Sequence, residues 1–260
     1  MRHSLVVFLL LTLTACSLFG SKPDADTSGK TPPVEEMYLT AKKSLDDGGY
    51  DEALRQFESL QSHYPYGRYA QQSQLEIAYI YYKQKEADSA IAAADRFIKQ
   101  YPNSPQVDYA YYVKGLANFT PDLGLFGVTF GQNSTERDPK SAQGSFAAFK
   151  DLVARFPNSR YAPDSRLRMQ YLLNSLAKYE IHVASYYLRR EAYVAAVNRA
   201  TEVLTLYPNS PATKDALVIL VQGYDALGLE QLRDDAQRVL GMNYPLVVVT
   251  LPGKSGENSQ

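Results

Sequence analysis

Apolar positions recur along the chain at steps of three and four, in stripes that end on an aromatic residue followed by proline. Leu54, Phe57, Leu60 and Tyr64 lead into Pro65, and Ala90, Ile91, Ala94, Phe97, Ile98 and Tyr101 into Pro102. Phe146, Phe149, Leu152, Val153 and Phe156 lead into Pro157, and Ala196, Val197, Ala200, Val203, Leu204 and Tyr207 into Pro208. This spacing gives an α-helix one apolar face. Proline, which lacks an N–H and clashes with the preceding turn, then stops it.

Counting backward from the prolines exposes a repeat. Alanine stands twelve and twenty-four residues before three of them: Ala53 and Ala41 before Pro65, Ala90 and Ala78 before Pro102, Ala196 and Ala184 before Pro208. Small residues at that interval let two antiparallel helices cross closely, as in tetratricopeptide hairpins. Pro157 keeps only Ser145, and Pro245 has Arg233 and Val221, so those two hairpins are degenerate. The expected fold is all-α, an α-solenoid of about five tetratricopeptide-like hairpins at about 34–65, 69–102, 106–157, 163–208 and 211–245. Gly48-Gly49 breaks the first hairpin at its turn. The joints read YPNSP at 101–105 and 207–211 and FPNSR at 156–160. They serve as punctuation, with proline ending one helix and Ser or Asp placed to cap the next.

The proline intervals are 37, 55, 51 and 37 residues, so two are long. In the first long one, 119–139 (FTPDLGLFGVTFGQNSTERDP) has three glycines and no helical period, and reads as a loop insertion in the third hairpin. The second lengthens the first helix of the fourth hairpin. From Asp164 to Arg189 there is neither Pro nor Gly, roughly 38 Å of helix at 1.5 Å per residue. Its far end should project from the stack or join two sub-stacks. After Pro245, Leu246–Leu251 reads as a short extended patch, within a tail, 246–260, that is otherwise expected to be disordered.

The amino terminus changes the picture. MRHSLVVFLLLTLTAC has a basic start and an apolar run too short to span a bilayer comfortably, the pattern of a signal peptide over 1–15. Leu13-Thr14-Ala15-Cys16 resembles the bacterial lipobox, which makes Cys16 the lipidated residue, and Ser17 after it points to the outer membrane. Residues 16–33 are Ser-, Pro-, Gly- and Asp-rich and read as a flexible tether. Cys16 is the single cysteine, so the chain has no internal disulfide. With 27 basic and 28 acidic side chains there is no charge excess to recruit nucleic acid.

Catalytic chemistry has little to stand on. Outside the signal the histidines are His63 and His182, neither at ligand spacing from another donor, and no HExxH, Walker A, CxxC, GxSxG or dinucleotide motif occurs. The expectation is no enzyme, no cofactor and no metal. The 21 tyrosines are more telling, clustered at Tyr79/81/82, Tyr109/111/112 and Tyr186/187. Three within four positions cannot share one helical stripe, so some should be accessible. Tyr offers broad contact at small entropic cost.

Three stretches, QSHYPYGRYAQQSQLEIAYIYYK (61–83), ERDPKSAQGSFAAFKDLVARFPNSRYAPD (136–164) and LAKYEIHVASYYLRREAYVAAVNRA (176–200), resemble the BamD family. These are tetratricopeptide lipoproteins of the outer-membrane β-barrel assembly machine. The resemblance implies a non-enzymatic scaffold on the periplasmic face of the outer membrane. It implies that amino-terminal hairpins receive the carboxy-terminal segment of unfolded barrel proteins, through Tyr66, Arg68, Tyr69, Gln74, Tyr79, Tyr82 and Arg96 here. It implies that carboxy-terminal hairpins dock companion lipoproteins and the periplasmic POTRA repeats of a BamA-like barrel, through Tyr179, Tyr186, Tyr187, Arg190, Asn198 and Arg199. Arg199 matches a position the family uses to pair with a POTRA carboxylate. The alternative is a repeat lipoprotein serving cell-wall or polysaccharide machinery.

Overall fold

The computed structural model describes residues 32–119 and 139–251, in which the chain forms ten α-helices and no strand. They are α1 (Val34–Asp46), α2 (Tyr50–His63), α3 (Arg68–Lys83), α4 (Ala87–Gln100) and α5 (Val107–Ala117), followed by α6 (Pro139–Arg155), α7 (Ala162–Arg189), α8 (Tyr193–Leu206), α9 (Thr213–Ala226) and α10 (Glu230–Asn243). Each helix packs on the next, and first helices of successive hairpins also touch, α1 on α3, α3 on α5 and α7 on α9. The architecture is the all-helical solenoid of hairpins that the stripes predict. The signal peptide, Cys16 and most of the tether lie outside the described residues, as do 120–138 of the insertion and 252–260 of the tail.

The alanine arithmetic marks the crossings. Ala41, Ala53, Ala78, Ala90, Ala184 and Ala196 are all completely buried. The degenerate hairpins cross by other means. In the third, an alanine Cβ at Gly115 would lie 2.4 Å from the Phe149 ring, so only glycine fits. There the buried Ser145 hydroxyl donates to the Gly115 carbonyl at 2.6 Å. In the fifth, Val221 is fully buried and Arg233 pairs with Asp225 at 3.0 Å.

The joints are built alike. Tyr64, Tyr101, Tyr207 and Tyr244 cap their helices at φ between −130° and −138° with ψ of 48–75°, outside the helical region that a following proline disfavours. The serine of each PNS step then pivots the chain. Ser104, Ser159 and Ser210 donate their N–H to the aromatic carbonyl three residues back and accept from the N–H three residues on. Here the structure departs from the capping expectation. The serine hydroxyls accept from the N–H two residues later, at Gln106, Tyr161 and Ala212, which precede the helices, so they brace the turn instead.

At 28 residues α7 spans about 42 Å. It joins two sub-stacks. Leu172 packs with Phe149 and Leu116 on the α5/α6 side, whereas Ala177 and Ala184 belong to the core shared with α8 and α9. Phe119, first residue of the insertion, packs between Phe149 and Tyr171, with the Arg168 guanidinium 4.5 Å over its ring. The end of the Leu246–Leu251 stretch is also held. Val249 and Leu251 pack on the carboxy-terminal core and the Gln222 amide donates to the Thr250 carbonyl at 2.9 Å. Val249 and Leu251 turn inward while Leu246 and Val248 are exposed, the alternation of an extended patch, as expected for this stretch.

Candidate functional site

The stacking of α1 on α3 brings two side-chain rows together. Tyr38, Lys42 and Asp46 fall four apart on α1, and Tyr69, Glu76, Tyr79 and Lys83 follow one face of α3. The Tyr38 hydroxyl donates to Glu76 at 3.3 Å, Lys42 pairs with Glu76 at 3.2 Å, and the Tyr38 and Tyr69 rings lie 5.2 Å apart. The two PNS joints close the far side. Tyr161 stacks on Tyr112 at 4.7 Å and lies 5.4 Å from Tyr109, and the Ser159 hydroxyl donates to Asp108 at 2.6 Å. Between them runs a groove of about 960 Å3, walled by Lys42, Tyr79, Lys83, Tyr109, Arg160 and Tyr161 among others.

Three tyrosines in and beside it, Tyr38, Tyr109 and Tyr112, are held as neutral phenols. Burial, reinforced by the Glu76 carboxylate, pushes Tyr38 up to about 12. Burial with the Asp164 hydrogen bond does the same at Tyr112, and burial raises Tyr109. Burial pulls Lys42 down, but Glu76 and Asp46 outweigh it and hold the ammonium charged. The arrangement suits an extended chain, with ring faces for apolar side chains, phenols for main-chain hydrogen bonds and charges at the walls. Among the described residues no cluster of His, Cys, Asp or Glu is placed to hold a metal.

The residues expected to receive a peptide are not all on this groove. Tyr79 lines it; Arg68 and Tyr69 are not among its lining residues, Tyr69 packing on Tyr38 with the Arg68 guanidinium 4.8 Å over its ring. Tyr66 projects from the first joint, 87% exposed. Tyr82 is half-buried, 6.1 Å from Tyr79, and packs toward Phe149. Gln74 faces the other way, buried with its amide donating to Gln100 of α4. Arg96 is exposed on α4, beside Tyr81. Lys42, Lys83, Arg160 and Tyr161 are groove residues that sequence reasoning passed over, and Tyr109 was marked there only as one of a tyrosine cluster. One signal was present: Arg-Tyr-Ala occurs at 68–70 and again at 160–162. Both pairs fold alike, since Arg160 also lies 4.8 Å over Tyr161.

The expected docking residues divide as well. Tyr179, Tyr186 and Tyr187 lie on the second half of α7 and Arg190 caps it, with Tyr186 half exposed and its ring 5.8 Å from Tyr187. Arg199, on α8, pairs with Glu180 of α7 at 3.0 Å and with Glu202 at 3.4 Å, which raises its pKa, Glu180 contributing most. Asn198, about 100° further round α8, borders a separate hollow of about 470 Å3 formed with Tyr193, Val194 and Leu227. Exposed Val194 and Leu229 add apolar surface at this end.

Comparison with known proteins gives the geometry a family. The family model described as outer membrane lipoprotein, YfiO, matches residues 30–239. A Neisseria meningitidis serogroup A protein named outer membrane protein assembly factor BamD is 40% identical over 93% of this chain and 90% of its own length. Proteins of that name from Xylella fastidiosa (strain Temecula1) and Vibrio cholerae are 38% and 35% identical, covering 94% and 87% of this chain and 82% and 93% of their own. A solved structure of the Assembly Chaperone of RpL4 overlaps 83% of this chain and 92% of its own at 15% identity, with a TM-score of 0.31, too slight to bear on the fold. Near-complete coverage by the assembly factors, over the same hairpins that the alanines and prolines mark, makes this chain a member of the BamD family of outer membrane lipoproteins.

Proposed function

We propose that this chain is a non-enzymatic scaffold of the β-barrel assembly machinery, helping to recognise, assemble and insert β-barrel proteins into the outer membrane. It is anchored by lipid at Cys16 on the periplasmic face. Hairpins one to three receive the carboxy-terminal segment of an unfolded barrel protein against Tyr66, Arg68, Tyr69 and Tyr79. The region around Tyr179, Tyr186, Tyr187, Arg190 and Arg199 docks the POTRA repeats of a BamA-like partner, and companion lipoproteins join the same assembly. The observation that carries this reading is the match to proteins named as assembly factors over nearly the whole chain. It favours barrel assembly over the cell-wall alternative. Two separate tyrosine-rich faces, one at each end of the hairpin series, fit a protein that holds two polypeptides at once.

Purification of the tagged full-length protein from native membranes tests it. A large β-barrel protein with periplasmic repeats should co-purify. Recovery of cell-wall enzymes in its place would overturn the reading.

A further inference from the structure

The groove between α1, α3 and the two PNS joints carries three carboxylates and three cations, but they are unevenly paired. All three of its carboxylates are held within the protein. Glu76 takes Lys42 and the Tyr38 hydroxyl, Asp46 takes Lys42 at 3.5 Å, and Asp108 accepts from the Ser159 hydroxyl and the Tyr109 N–H. Two of its cations have no carboxylate partner among the described residues. Lys83 sits 6.0 Å from the Tyr79 ring, and Arg160 gives one N–H to the Tyr161 hydroxyl while its plane lies over that ring. Guanidinium carries five N–H donors, so four remain. Stacking on Tyr161 holds the fork in one orientation, which lowers the entropic cost of engaging a planar anion. The Tyr79 and Tyr109 hydroxyls, also on the groove, have no hydrogen-bond partner among the described residues. At about 960 Å3 the space is at the upper end for a ligand pocket, right for a short extended segment and too small for a globular partner.

We propose that Arg160, with Lys83, holds the free terminal carboxylate of an extended polypeptide in this groove, while Tyr79 and Tyr109 hydrogen-bond its main chain. The proposal rests on the peptide-receiving reading above and adds to it a group, at the third joint, that holds the terminal charge. An anion is favoured at this spot because Arg160 and Lys83 are the groove cations without an ion-pair partner among the described residues, whereas Glu76 and Asp46 are engaged by Lys42 and Asp108 by the Ser159 hydroxyl and the Tyr109 N–H. A planar carboxylate matches the guanidinium fork in two parallel bonds. Arg96, by contrast, lies on α4 and is not among the groove's residues.

The test uses full-length protein in detergent and a short fluorescent peptide ending in phenylalanine, as free acid and as amide, read by anisotropy. The free acid should bind, and amidation should weaken it about tenfold, the scale of one charge-assisted hydrogen bond. Arg160→Ala should weaken the free acid by a similar factor and the amide hardly at all. Lys83→Ala and Tyr109→Phe should each cost severalfold and Arg96→Ala nothing. Arg160→Lys, which keeps the charge but not the fork, should recover part of the loss. If amidation matters but Arg160→Ala and Lys83→Ala leave affinity unchanged, the inference falls and the peptide-receiving role stands. If neither peptide binds the unaltered protein, both fall.

Discussion

At the scale of single residues the crossings show how little space separates paired helices. Gly115 faces the fully buried Phe149, and a Cβ there would overlap its ring at 2.4–2.8 Å. Gly115→Ala should therefore cost about 1–3 kcal/mol of overpacking, seen as a lowered urea midpoint with unchanged slope. Two kinds of buried serine should separate in the same assay. Ser145→Ala removes the bond to the Gly115 carbonyl and should cost about 1 kcal/mol. Ser73 and Ser165 are as deeply buried, but their hydroxyls have no partner among the described residues. Their alanine variants should be neutral or stabilising, and a comparable loss there would mean that both hydroxyls are bonded in solution. The alanine positions were legible in the sequence because a twelve-residue interval repeats. Gly115 was not, because the insertion puts it 42 residues before Pro157 and off the count.

The repeating unit is more regular in structure than in sequence. Gly48, Lys85, Glu191 and Gly228 all adopt positive φ, between 60° and 80°, and each stands seventeen residues before its proline. The turn between paired helices thus has one left-handed residue, but only two of the four announce it as glycine. Lys85 and Glu191 bear the steric strain of an L-residue there, about 1 kcal/mol. Lys85→Gly and Glu191→Gly should raise stability, by up to about 1 kcal/mol after glycine's extra chain entropy, while Gly228→Ala should lower it by about as much. Thermal melts of the three variants check this, and a loss at Lys85→Gly would show that its side chain does more than fill a turn. The aromatic-proline joints, in contrast, were legible because proline restricts its own φ and its neighbour's ψ, whatever surrounds them. The groove was not. Its walls come from four separated stretches between Lys42 and Tyr161, and periodicity shows that a helix has a polar row without showing which rows meet.

Across the whole molecule the long α7 connects the two kinds of surface, and its pairing with α8 complicates any test of partner docking. Arg199 is held by Glu180, which is only 15% exposed, so removing the guanidinium leaves a mostly buried carboxylate without its partner. Loss of partner capture in Arg199→Glu would therefore mix a weakened α7/α8 seam with a reversed surface charge. Exchanging the pair, Glu180→Arg together with Arg199→Glu, separates the two. The exchange restores opposite charges across the seam, so its melting temperature should lie closer to the unaltered protein than that of Arg199→Glu alone, which places a third carboxylate beside Glu180 and Glu202. Each kcal/mol recovered should appear as about 2–4 °C for a chain of this size. Capture of immobilised periplasmic repeats should stay lost in both, because the charge offered from α8 is negative in both. If the exchanged pair regains capture along with stability, Arg199 acts by holding two helices together, and the docking contact must be sought at Tyr186 and Arg190 instead.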